Sequence, residues 1–486
     1  MMIEWQAGTR GGKPRRTSAV ELRLVVLAVI VTLLAVLPVV AGAQEVGGER
    51  VRLSLGEAVD RALRSSEVVD VAEAGLLRAR GDRYEARSGF LPKVGGTVGY
   101  TRTLSSEFEA LRDVQGDSTG SSPIDGLGDL PFGQANRYDV GLQARQTVFS
   151  GGRIIARSRV AEAGVRSARI GVASARAELE LDVTEAYWEA VLSDRLVSIA
   201  EASLAQAEST LAQVRAARGV GESAEFDVLR AQVARDNQRP QVIQRRAERD
   251  LARMRLKQLL NVPLDRELEL TTALPVGDLL ARATGSADDG DGVAIEADTV
   301  SGHRAAVRQA AEAVTVREQL RRATRAERLP SIALTSQWGR VAYPKRGLPA
   351  WDDMRSNWTV GVQLELPLLT GGAQRGAELK AQADVMEARA RLEQTVEVAA
   401  LDARAALERR ESAESAWEAS VGTVEQAERA YRIAEIRFHE GLSTQVELSD
   451  ARLMLEQAEM NRAVAARDVE VARTVIRLLP DLPLGR

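Results

Sequence analysis

No cysteine occurs among the 486 residues, and histidine occurs only twice, at His303 and His439. Cysteine nucleophiles, disulfides and acylated cysteines are thereby excluded, and the usual nitrogen and sulfur metal ligands are almost missing. Aromatic residues make up 4% of the chain. Ala, Glu, Arg, Leu and Gln dominate instead, a composition suited to long helices and not to thick globular cores. The formal net charge of −4 is too small to argue for nucleic acid as a partner. After residue 40 no apolar run approaches the length of a membrane-spanning helix, so membrane contact by the rest of the chain would have to use β-strands. No nucleophile–base–acid set, phosphate loop or metal-ligand spacing is found. A non-enzymatic role with no cofactor and no bound metal is therefore expected.

The N-terminus carries the compartment signal. Arg15, Arg16 and Arg23 precede an apolar run from Leu24 to Val40, and Ala41-Gly42-Ala43 follows with small residues. This pattern reads as a secretory signal over residues 1–43, cleaved after Ala43. The competing reading is an uncleaved anchor, because about 17 apolar residues lies near the short limit for a span. Without cysteine, the exported chain is expected not to be lipidated.

What organises the chain is a duplication. TVFSGGR at 147–153 and LPLLTGGAQ at 366–374 each end an alternating apolar/polar run at Gly-Gly and then open a long, Ala-rich, proline-free segment. The spans from Gly151 to Gly221 and from Gly371 to Gly441 are both 70 residues. Like punctuation at equal spacing marks an internal repeat. The first repeat occupies 44–261, with a short helix, strands at 93–104 and 137–149, a long helix at 152–217 and a returning helix at 223–261. The second occupies 302–479, with a helix, strands at 331–343 and 357–368, a long helix at 372–439 and a returning helix at 443–479. A linker at 262–301 joins them, and 480–486 forms a C-terminal tail.

Local signals support these elements. Ser54-Leu-Gly-Glu57 is a capping box, and one helix is expected from there to about Phe90, where Leu91-Pro92 forces extended backbone. Leu329-Pro330 repeats that event. In the strands Val94, Val98 and Tyr100, then Tyr138, Val140, Leu142, Ala144 and Val148, alternate with polar residues. In the second repeat Ile332, Leu334 and Trp338, and Trp358, Val360, Val362, Leu364 and Leu366, do the same. Such strands fit a transmembrane barrel or a half-exposed soluble sheet equally well. If they span a membrane, four are too few to enclose a pore, and several chains must share one barrel. The first long helix has a seam of Val172, Ala175, Leu179, Val183, Ala186 and Ala190, suited to close packing in a tube or in an ordinary coiled coil. Pro240 is expected to kink the first returning helix. Asp288, Asp289 and Asp291 lack the spacing and terminal Glu of a calcium loop, which leaves a solvated linker.

This order of elements, with SLGEAVDRAL (54–63), FLPKVGGTVGY (90–100), QLELPLLTGG (363–372) and FHEGLSTQVELSDARL (438–453), closely resembles the TolC family of outer-membrane efflux channels. The resemblance covers Leu53 to about Leu479. It implies a mainly α fold with a small β portion: a homotrimer whose four strands per chain form one twelve-stranded barrel, above a long α-helical barrel. An equatorial layer is built from both termini and the linker. It also implies an outer-membrane location with a periplasmic helical tube, passing cargo from an inner-membrane pump through a periplasmic adaptor protein. A periplasmic adaptor or a coiled-coil scaffold remains the alternative, but would show one hairpin, or sustained heptads, without duplicated strand pairs.

The resemblance places adaptor contacts at the tips, Arg218, Gly221 and Ser223, and Phe438, Gly441 and Ser443. Simple helix reversal, with Gly221 and Gly441 at positive φ, is the plainer role. Glu447 and Asp450 match the acidic residues that ring the family's closed entrance, and Asp227 matches a residue that helps hold it shut. Glu447 also fits a capping box with Thr444, so gate and cap both stay open for it. Phe438 and Ser443 stand where the family's lock uses tyrosine and arginine. The lock is then expected to be weaker, or to be built from other residues such as Arg437 or Arg218.

Overall fold

The computed structural model describes residues 51–104, 136–274, 300–344 and 348–485. The signal segment 1–43, the loop at 105–135 and the aspartates at 288, 289 and 291 lie outside the described residues. In chain order the elements are β1 (Val51–Leu53), α1 (Leu55–Ser65), α2 (Glu67–Ser88), β2 (Lys93–Arg102), β3 (Asn136–Phe149), α3 (Arg153–Gly219), α4 (Glu225–Leu259) and β4 (Leu268–Leu270). They continue as α5 (Ala305–Ala326), β5 (Ser331–Ala342), β6 (Arg355–Glu365), α6 (Ala373–His439) and α7 (Gln445–Leu478).

The Ser54 box is complete. The Ser54 hydroxyl accepts the Glu57 N–H, and the Glu57 carboxylate takes the Ser54 N–H at 2.8 Å. The Ser54 N–H, and with it the Ser54 hydroxyl at 2.8 Å, donate to the Glu57 carboxylate and hold it below its ordinary value. The single helix expected from Ser54 to Phe90 is, however, two. Ser66 adopts extended geometry and its hydroxyl accepts the Val68 N–H at 3.2 Å. A serine that offers its own cap competes with the continuing helical bond, which breaks the helix at that point. Pro240 lies inside the span of α4.

β2, β3, β5 and β6 form one antiparallel sheet in that order. Except beyond a bulge at the end of β3, where Phe149 meets Ile332, its register pairs even-numbered residues with even-numbered ones across all four strands, for example Leu142 with Trp338 and Trp338 with Trp358. The apolar positions of each strand therefore merge into one continuous face, because side chains alternate with period two. The odd-numbered face carries Lys93, Arg137, Asp139, Gln143, Arg145, Gln337, Arg355 and Glu365. Every residue of β6 is exposed, and β2 and β6 have no further strand partner among the described residues.

The sheet passes into α3 and α6, each of 67 residues, at Gly151-Gly152 and Gly371-Gly372, all at positive φ. At about 1.5 Å per residue each helix is roughly 100 Å long. Next to the sheet the helices pack in the row α2, α3, α5, α6, the same order as their strands; beyond the middle the row is α4, α3, α7, α6. Leu179, Val183 and Ala190 of the expected seam are buried, while Val172, Ala175 and Ala186 are half-buried. Around the middle, α3 is enclosed by α1, α2, α4, α5 and α7, and there Tyr187 and Trp188 are buried too. The Tyr187 hydroxyl donates to Leu53 O at 3.1 Å and accepts from Thr272 N at 2.9 Å. It thereby fixes the small parallel sheet of β1 and β4 to the rod.

The residues after α7 are docked on the rods. Leu482 is buried against Ala177 and Leu181, and Ala305 N donates to Pro480 O at 2.7 Å. Arg304 is wholly buried, paired with Asp402 at 2.6 Å and reaching Pro483 O at 3.4 Å. Replacing Arg304 by methionine strands the Asp402 carboxylate, and breaking such a pair costs about 3–5 kcal/mol. The expected result is a large drop in the thermal midpoint of the helical circular dichroism signal. Asp402→Leu added to Arg304→Met should recover much of the loss; a single variant melting like the parent would contradict this assignment.

Candidate functional site

At the far ends of the rods, two turns reverse the chain in the same way. Glu222 N donates to Ala217 O at 2.9 Å and Gly221 N to Arg218 O at 3.0 Å. Leu442 N to Arg437 O at 2.8 Å and Gly441 N to Phe438 O at 3.0 Å repeat the pattern 220 residues later. This is the Schellman closure, which requires a left-handed residue after the helix. Gly221 at φ 85° and Gly441 at φ 67° supply it. Nothing lies within 4 Å of a Cβ built on either glycine, so both turns are open to solvent in the single chain.

The tip residues fall into three groups. Arg218 pairs with Glu225 at 3.4 Å, and Arg437 donates to Leu442 O at 3.4 Å. Both contacts stay within their own hairpin, so neither arginine locks one hairpin to the other in this chain. Ser443 donates to Ala434 O at 3.5 Å, and Ser223 donates to Asp227 Oδ2 at 3.4 Å. Phe438 is half-buried and packs against Leu211, Val214, Val228 and Ala231 of α3 and α4. It joins the two hairpins by apolar burial. Val220 and Leu442 are exposed apolar residues at the turns, and Phe226 and Ile436 beside them are exposed too.

The acidic residues divide. Asp227 Oδ2 accepts the Ala224 N–H at 3.3 Å and so caps α4. Glu447 is its counterpart, 220 residues later. There the Thr444 hydroxyl accepts the Glu447 N–H at 3.4 Å, but the carboxylate does not reach back. Glu447 and Asp450 are both exposed on α7, while Gln445 and Leu448 on its other side are buried. The partners around the buried Gln445 amide assign its nitrogen to Asp227 O, as donor at 3.2 Å, and its oxygen to Ala231 N, as acceptor at 3.1 Å, which ties α7 to α4.

A polar bridge higher on the rods completes the connection. Gln206 of α3 donates to Glu435 of α6 at 3.2 Å, Tyr431 donates to the same carboxylate at 3.2 Å, and Ser203 of α3 donates to Glu456 of α7 at 2.8 Å. Burial pushes the Tyr431 hydroxyl up to about 12, with the Glu435 charge adding to the shift. Burial lowers Arg452, which the Glu456 carboxylate partly offsets. These groups were not singled out from the sequence. A tyrosine in a chain with six tyrosines was the available signal, but charged and polar residues on a long helix do not announce which neighbour they meet.

Among the described residues no His, Cys, Asp and Glu grouping could hold a metal ion, and no helix is long and apolar enough to cross a membrane. The outer membrane efflux protein model matches residues 58–262 and 298–479. The probable efflux pump outer membrane protein SepC and the toluene efflux pump outer membrane protein TtgF, both of Pseudomonas putida, are each 24% identical over 335 residues, 68% of this chain. The match spans 66% of each relative's length. Among solved structures, the Campylobacter jejuni CmeC channel superposes with a TM-score of 0.71 at 16% identity, covering 89% of this chain and 87% of that one. Vibrio cholerae VceC gives 0.69 at 20% identity, over 88% and 96%, and the open state of Neisseria gonorrhoeae MtrE gives 0.67 at 21%, over 88% of each. The likeness extends to nearly the whole length of the fold. The family model covers both repeats, each with its strand pair, long rod and tip, and on that ground the chain belongs to the outer membrane efflux protein family.

Proposed function

We propose that this protein is the outer-membrane channel of a tripartite efflux or secretion system. Its sheet lies in the outer membrane and its helical tube stands in the periplasm. Cargo enters at the tips from an inner-membrane pump, through a periplasmic adaptor, and leaves through the barrel. The observation that carries the reading is the four-stranded sheet, apolar on one face, polar on the other and open at both edges. In lipid each free edge would leave backbone groups unsatisfied, so the sheet must close with other copies. A homotrimer with twelve strands is the arrangement that the family resemblance implies. Two hairpins, each with its own strand pair, speak against a periplasmic adaptor or a coiled-coil scaffold.

Tyr100 and Tyr138 are cross-strand partners with ring centroids 4.7 Å apart, next to the loop ends of β2 and β3. Amphipathic rings favour the membrane interface, so these two rings, with Tyr343, mark the outer boundary of the apolar band. Trp338 and Trp358 face each other farther along the strands, where the Trp358 indole N–H is already satisfied by Ser336 Oγ at 3.0 Å. Native mass measurement in detergent tests the assembly. The expected mass is that of three mature chains; a well-behaved monomer or dimer would sink the proposal.

A further inference from the structure

We propose that a second copy of this chain joins each free sheet edge in one fixed register: β6 of one copy runs antiparallel to β2 of the next, with Glu365 opposite Thr97. The inference rests on the ring of copies proposed above and specifies how that ring closes.

The internal repeat fixes the register. Leu91-Pro92 and Leu329-Pro330 lie 238 residues apart and relate β2 to β5; the Gly-Gly pairs lie 220 residues apart and relate β3 to β6. The two hairpins obey both shifts. Lys93 opposite Arg145 maps onto Ser331 opposite Glu365, and Arg102 opposite Asn136 maps onto Arg340 opposite Ser356, and both mapped pairs are present. The junction between repeats, β3 with β5, then has one counterpart left, β6 with the β2 of another copy. Adding 220 to the β3 partner and subtracting 238 from the β5 partner converts Arg145–Thr335 into Glu365–Thr97 and Gly141–Gly339 into Gly361–Thr101. Likewise Leu142–Trp338 becomes Val362–Tyr100, and Ala144–Ser336 becomes Leu364–Val98.

Two independent features agree with this register. It sets apolar Val362 and Leu364 against apolar Tyr100 and Val98, and Glu365 against Thr97, whereas a slip of one residue would turn one strand's apolar side to the wrong face. The helices carry the same relation. Within the chain α3 meets α5 at the Arg166–Glu312 ion pair of 2.7 Å, and the counterpart of that contact is α6 against the α2 of the next copy. On those two uncovered helices Leu379 and Met386, and Leu77 and Tyr84, are exposed apolar residues at seven-residue spacing. The mapped level brings Leu379 to Tyr84 and Met386 to Leu77 within one helical turn. Slips of two residues keep the faces matched and are left for experiment to separate.

The chain has no cysteine, so introduced pairs report without background. Directly opposed residues in an antiparallel sheet sit about 4.5–5.5 Å apart between Cα atoms, within disulfide reach, and residues displaced by two sit about 7–8 Å apart. Glu365→Cys with Thr97→Cys should shift the monomer band on non-reducing gels to a covalent trimer, reversed by reductant. Gln363→Cys with Thr97→Cys, and Gln363→Cys with Thr101→Cys, report slips in the two directions and should stay largely monomeric. Stronger cross-linking in either slipped pair overturns the register and leaves the ring standing. So does the absence of cross-linking in all three when native mass still gives a trimer. Absence of cross-linking from a chain that is monomeric by native mass overturns the ring itself.

Discussion

Replacing Val220 and Leu442 together by aspartate is expected to abolish efflux while leaving the assembled channel intact. Each is an apolar side chain at the apex of a hairpin, 73% and 70% exposed, beside a glycine that holds the turn. Neither supports the chain's own packing: the tip core is Leu211, Val214, Val228 and Ala231, closed by Phe438. The turn hydrogen bonds use the backbone of Glu222 and Leu442, so they survive the substitutions. If the periplasmic adaptor docks on the tips, a charge set into each contact is left desolvated without a partner. Two contacts at hot-spot strength, about 2 kcal/mol each, correspond to roughly a thousandfold weaker association. The measurement is dye efflux from cells whose only outer component is this protein, with native mass of the purified variant alongside. Normal efflux from the double variant would remove the tips from the function. A variant that no longer assembles would show that these side chains belong to the fold.

Much of this architecture is legible in the sequence because it is written in periodicity and punctuation. Period-two alternation, the Leu-Pro stops and the Gly-Gly pairs place the four strands within a few residues, and 67-residue rods follow where proline is absent. What was not legible depends on partners distant in sequence. The break at Ser66 hides inside a helical pattern because one hydroxyl decides it. An equatorial layer using both termini is implied by the resemblance, but its buried ion pair could not be read, since Arg304 against Asp402 looks like any surface arginine until residues 480–485 fold over it. At the site, the tip glycines follow from turn chemistry, whereas the packing of Phe438 against the tip core is set by neighbours distant in sequence. Within the chain Arg218 and Arg437 bond inside their own hairpins, while Gln206, Glu435, Ser203 and Glu456 form a bridge between hairpins that helix periodicity does not announce.

If Glu447 and Asp450 ring the entrance, neutralising them should shift the ion preference from cations toward anions. Both carboxylates are exposed on α7, three residues apart and so on one face. Threefold symmetry would bring six of them around the entrance, and rings of acidic side chains favour cations. Their alternative role as helix caps is weakened by the geometry. Asp227 reaches back to the Ala224 N–H, but at the equivalent place the Thr444 hydroxyl does the capping and the Glu447 carboxylate stays free. Loss of the charge near the helix start should therefore cost no more than about 0.3–1 kcal/mol, and the tip should stay folded. The direction of the change follows from the other end of the path. The polar face of the sheet carries Lys93, Arg137, Arg145 and Arg355 against Asp139 and Glu365, with Arg137 and Asp139 paired at 3.6 Å. Once the entrance is neutral, this excess of positive charge decides the preference. Planar-bilayer recording across a salt gradient reads both effects, comparing the parent with Glu447→Gln plus Asp450→Asn. The reversal potential should change sign, and block by multivalent cations added from the helical side should vanish. An unchanged reversal potential together with unchanged block would place both carboxylates outside the conducting path and leave the entrance to other residues.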